Sequence, residues 1–250
     1  MLFSRFVRII LKIILFFTAK SSASGYENLP PEGPFIPVVN HMSVMDTVLL
    51  LAFAPPYRRA YMAGEKWEKV PILGHLMRWT GAIFINRGEV DRMALKQIQA
   101  ALDDGKVLGL APEGTRSKDG RLARPKNGAA YLALRSKAPL VPLGVVNTNL
   151  YKDNLKRLRR TPLEIHAGPP IHLPDIGRKP RGKDLDAYSH YIMVHIANQL
   201  PERHRGYYAD SPALAALERG EDPMPACLEA EGAAPIGATR RRKKVDGDTE

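Results

Sequence analysis

His41 and Asp46, with four residues between them in Asn40-His41-Met42-Ser43-Val44-Met45-Asp46, are the first residues in this chain that could do chemistry. A histidine titrates near neutrality, which makes it a natural general base for removing a proton from an alcohol. A carboxylate on its other ring nitrogen fixes the tautomer and stabilises the imidazolium that forms. About seventy residues later comes Glu113-Gly114-Thr115-Arg116. Here Gly114 lets the main chain approach an anion, Thr115 supplies a hydroxyl, and Arg116 supplies a fork of donors suited to phosphate oxygens. Between the two segments, Gly81-Ala82-Ile83-Phe84-Ile85-Asn86-Arg87 is a short apolar run that delivers another guanidinium, Arg87. Gly109 to Thr115 imitates the spacing of a nucleotide-binding P-loop. Thr115 stands where that loop needs lysine, which argues against nucleotide hydrolysis. No Gly-x-Ser-x-Gly elbow occurs, and Cys227, the single cysteine, lies in a poor segment for a nucleophile. What remains is direct attack: His41 deprotonates a substrate hydroxyl, and the alkoxide attacks an activated acyl carbonyl.

The elements that must place these groups can be read locally. Residues five apart on a regular helix do not share a face, so His41 and Asp46 meet only if the chain turns between them. Pro34 to Val39 reads as a buried strand. Ser43 is placed to cap a helix starting near Val44, with Asp46 at the third helical position of a capping box. The plainer alternative is that Ser43 and Asp46 form only that cap. Val107 to Ala111 reads as a second buried strand, and ligands of open α/β sheets sit at the carboxyl ends of strands. Its plainer alternative makes Glu113 and Arg116 a solvated ion pair on a surface turn.

Taken together and in this order, the segments between about residues 35 and 146 resemble the family of 1-acylglycerol-3-phosphate acyltransferases. The resemblance implies His41 as base and Asp46 as its orienter. It implies an acyl thioester, on coenzyme A or an acyl carrier protein, as co-substrate with no further cofactor. It places Glu113, Gly114, Thr115 and Arg116 on the phosphate of the acceptor, with Arg87 on the same side. Asn86 departs from the family pattern, where aspartate is frequent, and Pro125 stands where an aromatic residue is usual. Ala138 to Leu143 matches the family's fourth motif, an apolar strand expected near the acyl donor.

Strand-like runs alternate with helical stretches through the body: strands at 58–63, 83–86, 107–111, 140–146 and 163–167, helices at 71–79, 90–103, 128–136 and 188–200. That alternation predicts an α/β fold with a mixed, largely parallel sheet flanked by helices. The expected organisation is an amphipathic anchor helix over residues 1–20, a linker over 21–34, the catalytic domain over 35–210 and a disordered tail over 211–250.

Formal net charge is +11 over 250 residues, an excess that calls for an anionic partner. Much of it is explained by the first twenty residues, where Arg5, Arg8, Lys12 and Lys20 accompany a broad apolar face. The longest charge-free stretch there, Ile13 to Ala19, falls far short of the roughly twenty residues a bilayer span needs. A helix lying in the interface of a membrane with anionic lipids fits better, which places the protein on the cytoplasmic face. A second cationic cluster, Lys152, Lys156, Arg157, Arg159 and Arg160, surrounds Leu155 and Leu158, and a third runs from Arg240 to Lys244. Nucleic-acid binding is disfavoured by the lack of any helix-turn-helix, zinc or aromatic RNA-binding pattern, and the histidines show no metal-ligand spacing.

The reading that results is an enzyme at a membrane surface that acylates a lysophospholipid, 1-acylglycerol 3-phosphate, to give phosphatidic acid. Its alternatives are acylation of glycerol 3-phosphate or of another lysophospholipid and, from a different class, a basic lipid-binding protein without catalysis.

Overall fold

The computed structural model describes residues 2–55, 58–85 and 92–237. The chain opens with α1 (Leu2–Thr18) and passes directly into β1 (Ala19–Ser24). It continues through β2 (Ile36–Val39), α2 (Val44–Phe53), β3 (Arg59–Gly64), α3 (Leu73–Trp79), β4 (Ala82–Ile85), α4 (Arg92–Asp103), β5 (Val107–Gly109) and α5 (Gly128–Ser136). The second half contains β6 (Leu140–Val146), α6 (Tyr151–Lys156), β7 (Thr161–Ala167), α7 (Lys183–Ala197), α8 (Glu202–Arg205), α9 (Pro212–Glu218) and α10 (Met224–Ala230).

The strands pair as β1-β7-β6-β2 and β4-β3-β5. Main-chain bonds join the two sets: Leu108 N donates to Phe35 O at 3.1 Å, Leu110 N to Pro37 O at 2.9 Å, and Val39 N to Leu110 O at 3.0 Å. The result is one sheet in the order β4-β3-β5-β2-β6-β7-β1. Every neighbouring pair is parallel except β6 and β7. Parallel strands buried on both faces read as continuous apolar runs, and Leu140–Val146 is buried at every position. Phe35, Val39, Val107 and Leu143 belong to the core on the α1–α2 side. Ile36, Val38, Leu108 and Leu140 belong to the core that takes in residues of α4, α5, α7, α9 and α10.

Two expected boundaries are corrected. The segment expected as a linker, 21–34, carries the end of an edge strand, with Ser21 opposite Leu163 and Ser24 opposite His166. Its Ala and Ser residues have little strand preference, so pairing with β7 and burial of Ala19 decide the structure. The tail expected as disordered from 211 is folded to 237. Pro212 opens α9 and Pro225 sits in the first turn of α10, positions where a missing N–H costs a helix nothing. Leu214, Met224, Cys227 and Leu228 pack into the core beside α7. The apolar positions of two short helices are hidden there by Pro, Gly and acidic neighbours. The cluster from Arg240 to Lys244 lies outside the described residues.

Among the described residues no helix is long and apolar enough to cross a membrane. On α1, Leu15 is buried, while Ile9, Ile13, Phe16 and Phe17 are exposed. Arg8, expected on a cationic stripe, turns inward and donates from Nε to Ala52 O at 3.1 Å. That carbonyl lies in the last turn of α2, where helix carbonyls lack partners and a cation is favoured.

Candidate active site

The His41–Asp46 pair is built by the end of β2 and the start of α2. The main chain leaves the sheet at Asn40, whose side chain continues the ladder: Nδ2 donates to Val145 O at 2.9 Å and Oδ1 accepts Val145 N at 2.8 Å. The chain then turns over Met42 and Ser43. Ser43 Oγ accepts Met45 N at 3.0 Å, and with Asp46 it forms a capping box on α2. Asp46 serves two purposes at once. Its Oδ2 accepts Met42 N at 2.7 Å, Ser43 N at 2.9 Å and His41 Nδ1 at 2.6 Å. The helix cap and the orienting carboxylate, separate alternatives from sequence, are the same group.

Asp46 Oδ1 accepts the hydroxyl of Thr148, just beyond β6, and Ser43 Oγ donates to Thr148 O at 3.0 Å. Asp46 is 2% exposed at its side chain and His41 22%. A carboxylate only accepts, so it holds the proton on Nδ1 and leaves Nε2 with a free lone pair. That is the state a general base requires.

The loop after β5 is tied to the histidine by two bonds. His41 N donates to Glu113 Oε1 at 3.0 Å, and Ser117 N donates to His41 O at 2.7 Å. Glu113 Oε2 accepts Ala123 N at 3.1 Å. Glu113 is 3% exposed, so its carboxylate faces the protein and spans main-chain donors. The expected contact with the acceptor's phosphate would require this carboxylate to leave those bonds and would set two anions against each other. Burial pushes the Glu113 carboxyl above its ordinary range, and the two N–H donors oppose that shift.

Gly114 has φ +68°, and a Cβ there would lie 2.9 Å from Lys126 Cδ. Thr115 and Arg116 follow on the exposed surface of the loop. Arg87 lies outside the described residues.

A cavity of about 930 Å³ opens at this point. His41, Asp46, Gly114 and Lys126 line it at the carboxyl end of the sheet, and Phe35, Leu50, Val107 and Arg59 line it further down. Phe35 and His41 are six positions apart, so the depth available along β2 is at most about 20 Å. The lining is mostly apolar, with His41, Asp46 and Lys126 at the carboxyl end and Arg59 at the other, as in pockets that hold an aliphatic chain by burial and a head group by a few polar bonds.

Four contributors escaped sequence reading: Thr148, Asn40, Lys126 and Arg59. Thr148 and Asn40 act through partners about a hundred residues away, for which a single sequence carries no signal. Lys126 directly follows Pro125, where the chain departs from the family pattern. Arg59, which lines the cavity, has its pKa lowered by burial and by the nearby charge of Arg8. Cys227 is fully buried, and burial pushes its thiol well up, so it offers no thiolate nucleophile.

The Acyltransferase family model matches residues 20–146, just over half of the chain. A 1-acyl-sn-glycerol-3-phosphate acyltransferase of Borreliella burgdorferi is 29% identical over 147 residues, covering 57% of this chain and 58% of its own. The chloroplastic enzyme BAT2 of Brassica napus, of the same name, is 33% identical over 134 residues, 52% of this chain and 38% of its own. The chain thus spans about half the length of these two curated relatives. That of Bacillus subtilis is 28% identical over 187 residues, 74% of this chain and 91% of its own. The crystal structure of the lysophosphatidic acid acyltransferase PlsC of Thermotoga maritima superposes with a TM-score of 0.60 at 24% identity, covering 75% of each chain, and shares the fold. The family match takes in His41, Asp46 and the loop from 113 to 117, and the chain belongs to the acyltransferase family.

Proposed function

We propose that this protein transfers a fatty acyl group from a thioester to the free hydroxyl of 1-acylglycerol 3-phosphate, forming phosphatidic acid. The observation that carries the reading is the union of base and loop. His41 is held by Asp46 on its ring and by Glu113 and Ser117 on its own peptide groups, at the mouth of a deep apolar cavity. Base, anion-binding loop and chain pocket therefore keep one geometry, which is what positioning contributes to catalysis. The names of the relatives support the acceptor and the reaction.

In this reading His41 Nε2 takes the proton of the acceptor hydroxyl as its oxygen attacks the thioester carbonyl. Asp46 stabilises the resulting imidazolium. The tetrahedral intermediate collapses with breakage of the C–S bond, and the departing sulfur takes the proton from His41 Nε2. The products are an ester and a thiol, and the base is restored. Gly114, Thr115, Arg116 and Lys126 hold the acceptor's phosphate, with Arg87 added by the family resemblance. Glu113 acts as a positioning residue. An acyl chain occupies the cavity, and coenzyme A or an acyl carrier protein presents the thioester.

The exposed Ile9, Ile13, Phe16 and Phe17 of α1 rest at the surface of an anionic membrane on its cytoplasmic side, which brings the cavity mouth to its lipid acceptor. The test is acyl transfer by purified protein from labelled acyl-coenzyme A and acyl-carrier protein to three acceptors: 1-acylglycerol 3-phosphate, glycerol 3-phosphate and lysophosphatidylcholine. Phosphatidic acid from the first is expected. Preferential acylation of either of the others would overturn the acceptor assignment, and no transfer to any would overturn the activity.

A further inference from the structure

A second cavity, of about 540 Å³, lies at the foot of α1 and shares no lining residue with the first. Three cations reach it from three elements: Lys12 from α1, Lys20 from β1, and Arg160 from the segment leading into β7. Ser21 and Ser22 line it as well, and none of its lining residues is acidic. Glu164 stands opposite Ser22 in the register of β1 and β7, but it pairs with His166 at 3.1 Å. Ser21 Oγ is buried with no hydrogen-bond partner among the described residues. β1 is the last strand of the sheet, so its outer edge has no partner strand among the described residues. Cations converging without a counter-ion, beside an unsatisfied hydroxyl and a free strand edge, are an arrangement that lacks an anion.

Arg160 is held in place. Its Nη2 donates to Phe16 O at 2.7 Å and to Ala19 O, and its Nε donates to Ala19 O at 3.0 Å. Phe16 O lies in the last turn of α1, where the helix dipole favours a cation, and Ala19 O follows it at the start of β1. The guanidinium also stacks over the Phe16 ring at 5.8 Å, and Lys12 lies over the ring of Phe53 at 5.7 Å. Nη1 makes no bond of its own among those described.

The surroundings decide what kind of anion fits. Lys12 shares a helix face with Ile9 and Phe16, three and four positions away, and both are exposed. Two residues before Arg160, Leu158 is 94% exposed with φ +53°, an apolar tip between Arg157 and Arg159. An anion held here would be rimmed by apolar groups that water does not favour, which is the chemistry of a phospholipid head group with its acyl chains alongside.

We propose that this cavity binds the phosphodiester of an anionic phospholipid, a site separate from the one that acts on the acceptor. The proposal rests on the reading of α1 as a membrane contact. Lys12 and Lys20 supply charge, Arg160 and the Ser22 hydroxyl supply directed hydrogen bonds, and Phe16, Phe17 and Leu158 sit among the chains. The phosphate is recognised as part of a lipid, so free phosphate should occupy the site only weakly.

The test compares the full-length protein with Lys12→Gln/Lys20→Gln, and with a control pair, Lys179→Gln/Lys183→Gln, that removes equal charge at the start of α7. Arg160 is left intact because it also holds the end of α1. Binding is measured on phosphatidylcholine vesicles with and without phosphatidylglycerol. A cation at an anionic leaflet is worth about fivefold in partitioning, so the double variant should bind the anionic vesicles roughly twenty- to thirtyfold more weakly. The control pair should lose no more than about twofold, and all three proteins should bind phosphatidylcholine alike. Equal losses in the two pairs would reduce the effect to diffuse attraction and overturn the site.

Amide shifts of Ser21 and Ser22 supply a second arm. Short-chain phosphatidylglycerol should move them in the intact protein but not in the variant. Inorganic phosphate moving them equally well would overturn the lipid assignment, and an isolated acyl carrier protein moving them instead would make this a donor-docking surface. Transfer to a soluble short-chain acceptor should be unchanged in every variant. If that transfer is absent from the intact protein, the proposed function fails while the lipid-binding result stands on its own.

Discussion

Asp46 accepts four hydrogen bonds, and each has a separable consequence. His41→Ala should cut turnover by roughly 10² to 10⁴ with the fold intact, because a positioned general base contributes about that much. Near-normal rates in the folded variant would refute the base assignment. Thr148→Val leaves His41 and the helix cap untouched but strips Asp46 Oδ1 of its hydroxyl donor. A hydrogen bond to a charged group is worth about 1.5 to 3 kcal/mol, so this variant should lose stability by that order and turnover with it. A melting curve and a rate taken together check it, and a change in neither would show that the Thr148 bond does not support the carboxylate. On the anion side, Arg116→Ala and Lys126→Ala should each raise the Michaelis constant for the phosphate-bearing acceptor about ten- to a hundredfold, and far less for the donor. Steady-state kinetics with each substrate varied in turn separates the two effects.

At the scale of elements, the cavity makes a prediction about chain length. Gly109 lines it on β5, and a Cβ there would meet Tyr61 Cβ at 3.8 Å and Ala60 O at 4.0 Å, both ordinary contacts, so a side chain is accommodated beside that space. Gly109→Val should shorten the preferred donor chain while sparing transfer of short chains, measured with an acyl-coenzyme A series. An unchanged preference would place the acyl chain elsewhere. The sequence disclosed most of these elements because their signals are local. Pro34 to Val39, Leu140 to Val146 and the Ser43–Asp46 cap are decided by runs and spacings of a few residues. What it concealed depended on partners far along the chain. β1 exists because β7 offers a ladder, α9 and α10 because α7 offers a surface, and Thr148 matters because β6 ends beside α2. Glu113 illustrates the same limit within the site. Its position in the motif was visible, but the inward direction of its carboxylate was set by the N–H groups of His41 and Ala123.

For the whole molecule, one buried histidine gives stability a pH dependence. His195 on α7 packs against Tyr191 with ring centroids 4.6 Å apart. Burial lowers its pKa from 6.5 to about 4, with Asp222 opposing the shift. Between those values the unfolded chain binds a proton that the folded chain does not, so stability rises with pH across the window. The contribution is complete above about pH 6.5 and is lost as pH falls toward about 4, by on the order of 3 kcal/mol. Denaturant titrations through this range should show His195→Leu with a flatter profile than the intact protein, and identical slopes would refute the assignment.

The junction of α1 and β1 bears on how such a molecule would work. Thr18 ends the helix and Ala19 begins the strand, so no tether lies between them. Arg8, Tyr151 and Arg160 bolt the helix to the body as well. Under the proposed contact of α1 with a leaflet, the protein would have a fixed ride height: it could not swing out on a leash to fetch substrate. Lipids would have to drift to it sideways, making encounter a two-dimensional search governed by leaflet fluidity. A few glycines inserted between Thr18 and Ala19 would give it slack, and the cavity mouth would then wander off the plane in which its acceptor moves.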